Sequence, residues 1–189
     1  MRAEPALRLV LMDGPSSKLV VDRMTEADIS GVVAIDSAAF PSPVPVHDSV
    51  ATAEVRFREE LARPWSHTWV VRDTEARCPL AFLLAWHVTD EVHVLNLATH
   101  PTHRRRGLAK ALVRTVVEFA RSKGSRQMLL EVRRSNQNAI RLYRAAGFFV
   151  LGIRRRYYPD DEDAVEMALL LDPKTGSVVR RDDEALVDA

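Results

Sequence analysis

Residues 104–107 read Arg-Arg-Arg-Gly, directly before a stretch with helical apolar spacing. That is a costly place for positive charge. The first turn of a helix leaves N–H groups without partners and carries a partial positive charge, so arginine there is disfavoured unless an anion offsets it. A phosphate or pyrophosphate at this point accepts hydrogen bonds from the backbone and neutralises the helix end and the arginines together. Gly107 lets the backbone approach such an anion with no Cβ in the way. The competing reading is a solvated run of surface arginines. With seven glycines the chain has no G-x-x-x-x-G-K-[ST] loop and no G-x-G-x-x-G, so nucleoside triphosphates and dinucleotides lose their usual signals. Two further groups able to move protons stand downstream, Glu131 in the apolar run QMLLEV and Tyr143 with Ala139, Ile140 and Ala146 at helical spacing. From the pattern alone, Glu131 can be a structural carboxylate paired with an arginine and Tyr143 a packed core tyrosine. Of the six histidines, His87 and His93 flank a hairpin and His100 and His103 a loop, without a third ligand at a zinc spacing. No metal is expected.

The elements that position these residues follow from periodicity and turn signals. KLVVDRM reads as a strand, and residues 25–40 as a helix whose Thr25 and Asp28 form a capping box. Three prolines make PSPVPVHDS a loop before a second helix over 49–62. SHTWVVRD, LAFLLAWHV and EVHVLNLAT read as three strands. Leu108, Leu112, Val116 and Phe119 set a helix over 107–123, with Gly124 at its C-cap position. A strand, a helix over 136–146 closed by Gly147, and two strands, FFVLGIRRR and AVEMALLL, complete the order. This is a mixed α/β sheet in which the arginine stretch lies between a strand end near Thr99 and a helix start near Gly107, where ligands gather in such sheets.

Composition agrees. The 189 residues, 47% hydrophobic and 28% charged, describe an ordinary globular chain, and a net charge of +1 gives no global reason to expect nucleic acid. The single cysteine, Cys78, cannot form an internal disulfide, and no apolar run approaches the length of a membrane span. A cytoplasmic protein without membrane or direct nucleic-acid contact is expected. Residues 1–16 read as an N-terminal extension, 17–172 as one domain and 173–189 as a charged tail.

The segment RRRGLA (104–109) resembles the Q/R-x-x-G-x-G/A motif of the GNAT acetyltransferases, and LEVRRSNQNAIRLYRAAGF (130–148) with RRRYYPDDEDAVEMAL (154–169) resembles the RimI-like branch of that family, which acetylates the N-terminal alanine of ribosomal protein S18. The resemblance runs over roughly residues 18–172. It implies a GNAT fold: a mixed central sheet of about six to seven strands with helices on both faces and a splayed strand pair that binds acetyl-CoA. Leu97, Ala98 and Thr99 are then the strand edge that pairs with the pantetheine arm. Arg104, Arg105, Arg106, Gly107, Leu108, Ala109 and Lys110 hold the pyrophosphate, and Asn136, also a competent helix N-cap, contacts the cofactor's arm. Glu131 matches the general base, Tyr143 the general acid, and Tyr157 and Tyr158 the tyrosines lining the peptide entrance.

The chemistry is consistent with those roles. Acetyl transfer from a thioester needs a neutral amine, a polarised carbonyl and a proton for the departing thiolate. A peptide α-amine of pKa about 7.7–8.0 is roughly a tenth neutral at pH 7, against about 0.04% for a lysine near 10.4. One carboxylate then suffices. Glu131, its pKa raised by desolvation, takes the ammonium proton and Tyr143 protonates the sulfur, with direct transfer in a ternary complex. Two departures from the branch bear on the substrate. FPSPVPVHDS stands where related chains have FPWS, and Asp160, Asp161, Glu162 and Asp163 make the loop after Pro159 acidic, either as a rim for a basic peptide or as a solvated turn. Two alternatives remain, acetylation of a lysine side chain or small-molecule amine, and a catalytically inactive acetyl-CoA-binding module.

Overall fold

Thr25 and Asp28 start the first helix as their spacing predicts. The Thr25 N–H donates to Asp28 Oδ2 at 2.7 Å and the Thr25 hydroxyl to the same oxygen at 2.8 Å. A 3-10 turn, Glu26–Asp28, leads into α1 (Ile29–Ala39). Asp28 is 3% exposed, and Arg72 Nη2 completes its coordination at 2.9 Å. The helix start is therefore pinned to a strand 44 residues away.

The computed structural model describes residues 9–13, 17–40, 50–75 and 77–179. The expected proline-rich loop at 41–49 lies outside the described residues. The chain divides into two units, Met1–Ala85 with Asn96–Thr115, and Trp86–Leu95 with Val116–Ala189.

In the first unit, β1 (Leu9–Asp13), β2 (Ser17–Arg23) and β3 (Ser66–Asp73) pair antiparallel in sequence, from Leu9↔Val21 to Arg23↔Trp69, and β4 (Pro79–Val88) follows β3 in the sheet. Leu80–Ala85 are buried without alternation, so this part of β4 is covered on both faces. The apolar stripe of α1 (Ile29, Val32, Val33, Ile35) and Ala53 and Phe57 of α2 (Val50–Ala62) pack on Val70, Phe82, Leu84 and Ala98. The Phe57 and Phe82 rings meet edge to face at 5.5 Å. β5 (Glu91–Thr99) is tied to β4 where His100 N–H donates to Leu80 C=O at 2.9 Å, and α3 (Leu108–Ser122) begins after a 3-10 turn at Pro101–His103.

In the second unit, β6 (Gln127–Arg133) runs parallel to β5 from Glu91↔Gln127 to Val94↔Leu130, and among the described residues this pairing goes no further. The strand order continues β6, β8 (Ala164–Leu171), β7 (Phe149–Arg154), with β9 (Val178–Val179) also on β8. The helix α4 (Gln137–Ala145) lies between β6 and β7 in sequence and ends, as expected, at Gly147. Its φ of +101° and the 2.8 Å approach of Val178 Cγ1 to the place a Cβ would take both require glycine there. All seven expected strands are present as β2–β8. β1 and β9 are additional: they lie in the stretches read as an extension and a tail, and each adds to the sheet by backbone pairing with its neighbour.

Candidate active site

In the first unit the predicted cofactor-binding residues form one continuous stretch. Leu97, Ala98 and Thr99 end β5, with Ala98 buried and the other two half-buried. The chain then turns through Pro101–His103 and reaches α3, whose first internal bond is Ala111 N–H to Gly107 C=O at 3.0 Å. The N–H groups of Leu108, Ala109 and Lys110 precede that bond and have no carbonyl of their own in the helix. Arg105 and Gly107 take φ of +66° and +77°. A left-handed arginine costs about 1–2 kcal/mol, and such strain collects where a ligand is held. Alternating left-handed and ordinary residues turn successive N–H groups toward one point, the geometry of an anion-binding nest. A Cβ on Gly107 would meet nothing within 4 Å. Backbone conformation, not crowding within the chain, demands glycine here, and the space above it is open to a ligand. Arg106 Nη1 donates to His103 Nδ1 at 2.6 Å, which ties this arginine to the preceding turn, whereas Arg104, Arg105 and Lys110 are exposed. These donors and charges fit a pyrophosphate.

In the second unit Glu131, near the end of β6, faces Glu166 directly across the β6–β8 pairing. Two like charges directly opposite destabilise a sheet. Arg154 of β7 compensates: its Nε donates to Glu166 Oε1 at 2.5 Å and its Nη1 lies 3.4 Å from Glu131 Oε1. The Glu131 side chain is 33% exposed, so it is not desolvated as the sequence reading expects, and the arginine partner considered for it exists. Its oxygens are nevertheless accessible to an incoming group.

Tyr143 lies on the buried face of α4 and is 6% exposed, its ring 5.5 Å from that of Phe148. Burial first, and then the phenol of Tyr158, push its pKa well above the ordinary tyrosine value. It is held protonated. Asn136 caps α4, its Oδ1 accepting from Ala139 N–H at 3.2 Å, and is exposed, so a ligand contact is open to it as well.

Tyr157 and Tyr158 meet edge to face at 5.2 Å, each under an arginine: Arg154 lies 5.5 Å over Tyr157 and Arg133 4.0 Å over Tyr158. The acidic loop behind them is largely satisfied from within. Arg133 binds Asp160 at 2.9 Å and Glu162 at 2.6 Å, Glu162 accepts from Ser135 N–H, and Asp163 accepts from Arg156 N–H and lies 3.5 Å from Arg134. The backbone of Ser135 and the Arg133 guanidinium hold the Glu162 pKa below its ordinary value, and Arg133 does the same for Asp160. Three of the four acids thus staple the loop that carries the tyrosines to the end of β6. Sequence reasoning missed Arg133, Arg154 and Glu166, whose signal was available only in part: RRRYYP contains Arg154, but no local pattern pairs it with Glu166.

The mixed sheet, its strand order and the helices set between its strands define the fold of an N-acetyltransferase. The chain belongs to the acetyltransferase (GNAT) family, whose profile matches residues 30–148. Over 153 residues it is 35% identical to a Bacillus subtilis protein whose name assigns it, provisionally, as a ribosomal protein bS18-alanine N-acetyltransferase, a match covering 80% of this chain and 95% of that one. It is 41% identical over 92 residues to the bS18-alanine N-acetyltransferase of Escherichia coli K12, covering 47% of this chain and 62% of that protein. The crystal structure of the E. coli ribosomal-protein-S18-alanine N-acetyltransferase superposes with a TM-score of 0.69 at 27% identity, covering 89% of this chain and 98% of that one.

Proposed function

We propose that this chain transfers the acetyl group of acetyl-CoA to the N-terminal α-amine of a protein, with the N-terminal alanine of ribosomal protein S18 as its substrate and the cytoplasm as its compartment. The reading is supported by the likeness to proteins named for that reaction. The observation that carries it is the clustering within the second unit, where Arg154 joins Glu131 to Tyr157 and the Tyr158 phenol adds to burial in raising the pKa of Tyr143.

Acetyl-CoA supplies the acetyl group as a thioester. In this reading the backbone of Leu97, Ala98 and Thr99 pairs with its pantetheine arm, the nest from Arg104 to Lys110 holds its pyrophosphate, and Asn136 contacts the arm. Glu131 accepts the proton of the α-ammonium, so the amine attacks in its neutral form. Tyr143, kept protonated by burial, gives its proton to the departing sulfur. Tyr157 and Tyr158 line the approach of the peptide, oriented by Arg154 and Arg133. An α-amine is easier to deprotonate than a lysine by about 3.4 kcal/mol at neutral pH, so one partly exposed carboxylate is adequate for it and poorly matched to a lysine.

The test is acetyl-CoA-dependent mass gain on two peptides, one with a free N-terminal alanine and a basic, S18-like continuation, the other N-terminally blocked with an internal lysine. Acetylation of the first alone is expected. Acetylation of only the second moves the activity to lysine side chains, and transfer to neither rejects a protein acetyltransferase.

A further inference from the structure

Glu131 is approached by charge from two neighbouring strands, and the arrangement is asymmetric. The Arg154 guanidinium makes a 2.5 Å hydrogen bond to Glu166 and only a 3.4 Å ion pair to Glu131. Two features of the backbone create this asymmetry. The β7–β8 register runs Phe149↔Ala168, Val150↔Met167 and then Gly152↔Glu166, leaving Leu151 as an extra, exposed residue. Such a bulge shifts the alternation by one, so every residue after it changes face. Had the pairing run on with Leu151 opposite Glu166, Arg154 would lie on the opposite face of the sheet; because it skips Leu151, Arg154 shares the face of Glu131 and Glu166. The second feature is Gly152 opposite Glu166, whose missing Cβ would lie 3.7 Å from Glu166 Oε2. A Cβ there would make only ordinary contact with Glu166, whereas a larger side chain would compete for the space in which Glu166 lies over β7 to meet Arg154.

We propose that Glu166 is a positioning residue for the reaction: by clamping Arg154 it keeps the guanidinium out of a full hydrogen-bonded pair with Glu131, so that the oxygens of Glu131 remain available to the substrate's α-ammonium. This rests on the reading of Glu131 as the base. Arg154 and Glu166 are each only partly exposed, at 50% and 29%, and a guanidinium relieved of one carboxylate turns to the other within reach. Removing Glu166 therefore frees Arg154 to close on Glu131, which must then be released before it can take a proton. Among the described residues of the second unit, the other charged or titratable groups near Glu131 are Tyr157, under Arg154; Tyr158; Arg133 two residues along the same strand, engaged with Asp160 and Glu162; and on β5 His93, opposite Leu129 and hydrogen-bonded to Glu91. None of them substitutes for Glu166 in holding Arg154.

The experiment compares wild type with E166Q, E166D, R154Q, E131Q and the R154Q/E166Q double variant, each checked for its thermal unfolding midpoint and acetyl-CoA affinity, with kcat/KM measured against pH on the alanine peptide. For E166Q a turnover about tenfold below wild type is expected, with the acid limb of the profile moved to lower pH because Glu131 gains a tighter cationic partner. E166D recovers most of the turnover. R154Q moves the limb the other way, since two carboxylates then face each other, and in the double variant the two effects largely cancel instead of adding. An acid limb that does not move in E166Q, or additive losses in the double variant, overturns the clamp while leaving Glu131 as the base. Wild-type turnover in E131Q overturns both readings at once.

Discussion

The guanidinium of Arg133 lies 4.0 Å above the ring of Tyr158 while it binds the carboxylates of Asp160 and Glu162. One side chain at the end of β6 thus fixes both a tyrosine of the proposed peptide entrance and the loop that follows it. An exposed cation–π contact is worth about 0.5–1 kcal/mol, and an exposed carboxylate pair about the same. R133A is accordingly expected to raise KM for the alanine peptide by about three- to tenfold, with little change in acetyl-CoA affinity. A KM unchanged within error would show that the loop does not meet the peptide.

The same staple sets a pH dependence. Glu162 and Asp160 have depressed pKa values in the folded chain, so the stabilisation they give the loop is complete above the ordinary carboxylate values of about 3.9–4.3 and is lost as the pH falls below them. Hydrogen exchange of residues 158–163 is expected to be slow at pH 6 and to rise, after correction for intrinsic rate, as pH drops through 4. Equal protection at both pH values contradicts the staple.

Gly107 offers a test of the proposed pyrophosphate nest. At φ +77°, alanine costs about 1–2 kcal/mol of backbone strain, and the new methyl group projects into space that the chain itself leaves open. G107A is expected to lower the unfolding free energy by about 1 kcal/mol and to weaken acetyl-CoA binding by at least about tenfold in calorimetry, more than the strain alone explains. Unchanged affinity in a folded G107A protein would remove this loop from the cofactor site.

Asp28 accepts from the N–H and hydroxyl of Thr25 and from Arg72, all on one buried oxygen. Truncation to alanine leaves two donors and a largely buried guanidinium without that acceptor, a loss of about 2–4 kcal/mol. Urea unfolding of D28A is expected to show a lower midpoint with an unchanged slope. A midpoint equal to wild type would mean that the cap contributes nothing net.

Much of this fold was legible because its signals are local. The box of Thr25 and Asp28, the glycines at the ends of α3 and α4, and the apolar runs of the seven strands each sit within a few residues of what they determine. Glu131, Tyr143 and the arginine stretch were singled out through a motif, and their roles are those of the proposed function. Arg154 and Glu166 were not, because their meeting depends on the register between strands separated by nine residues and on a bulge at Leu151 that exchanges faces. The acidic loop misled for a similar reason: Asp160, Glu162 and Asp163 look like a free negative rim until Arg133, Arg134 and Ser135 at the far end of β6 are brought against them. β1 and β9 pair with core strands through backbone groups, which a short apolar stretch beside turn residues does not announce.

The buried phenol of Tyr143 gives the most direct separation of role from structure. Y143F keeps the ring, its contact with Phe148 and its burial, and removes only the hydroxyl. If that hydroxyl is the general acid, turnover falls by about 10² or more, while the unfolding midpoint and acetyl-CoA affinity stay close to wild type. Burial holds the phenol protonated beyond the pH at which a free tyrosine ionises, so its loss of a proton does not shape the activity profile below about pH 10. The sign for stability follows from the same shift. With the folded pKa raised, the contribution is complete below the unfolded value of about 10 and is lost as the pH rises above it. Between pH 9 and 11, wild type is expected to lose stability faster than Y143F in equilibrium unfolding. Equal alkaline losses, together with wild-type turnover in Y143F, would leave Tyr143 a packing residue only.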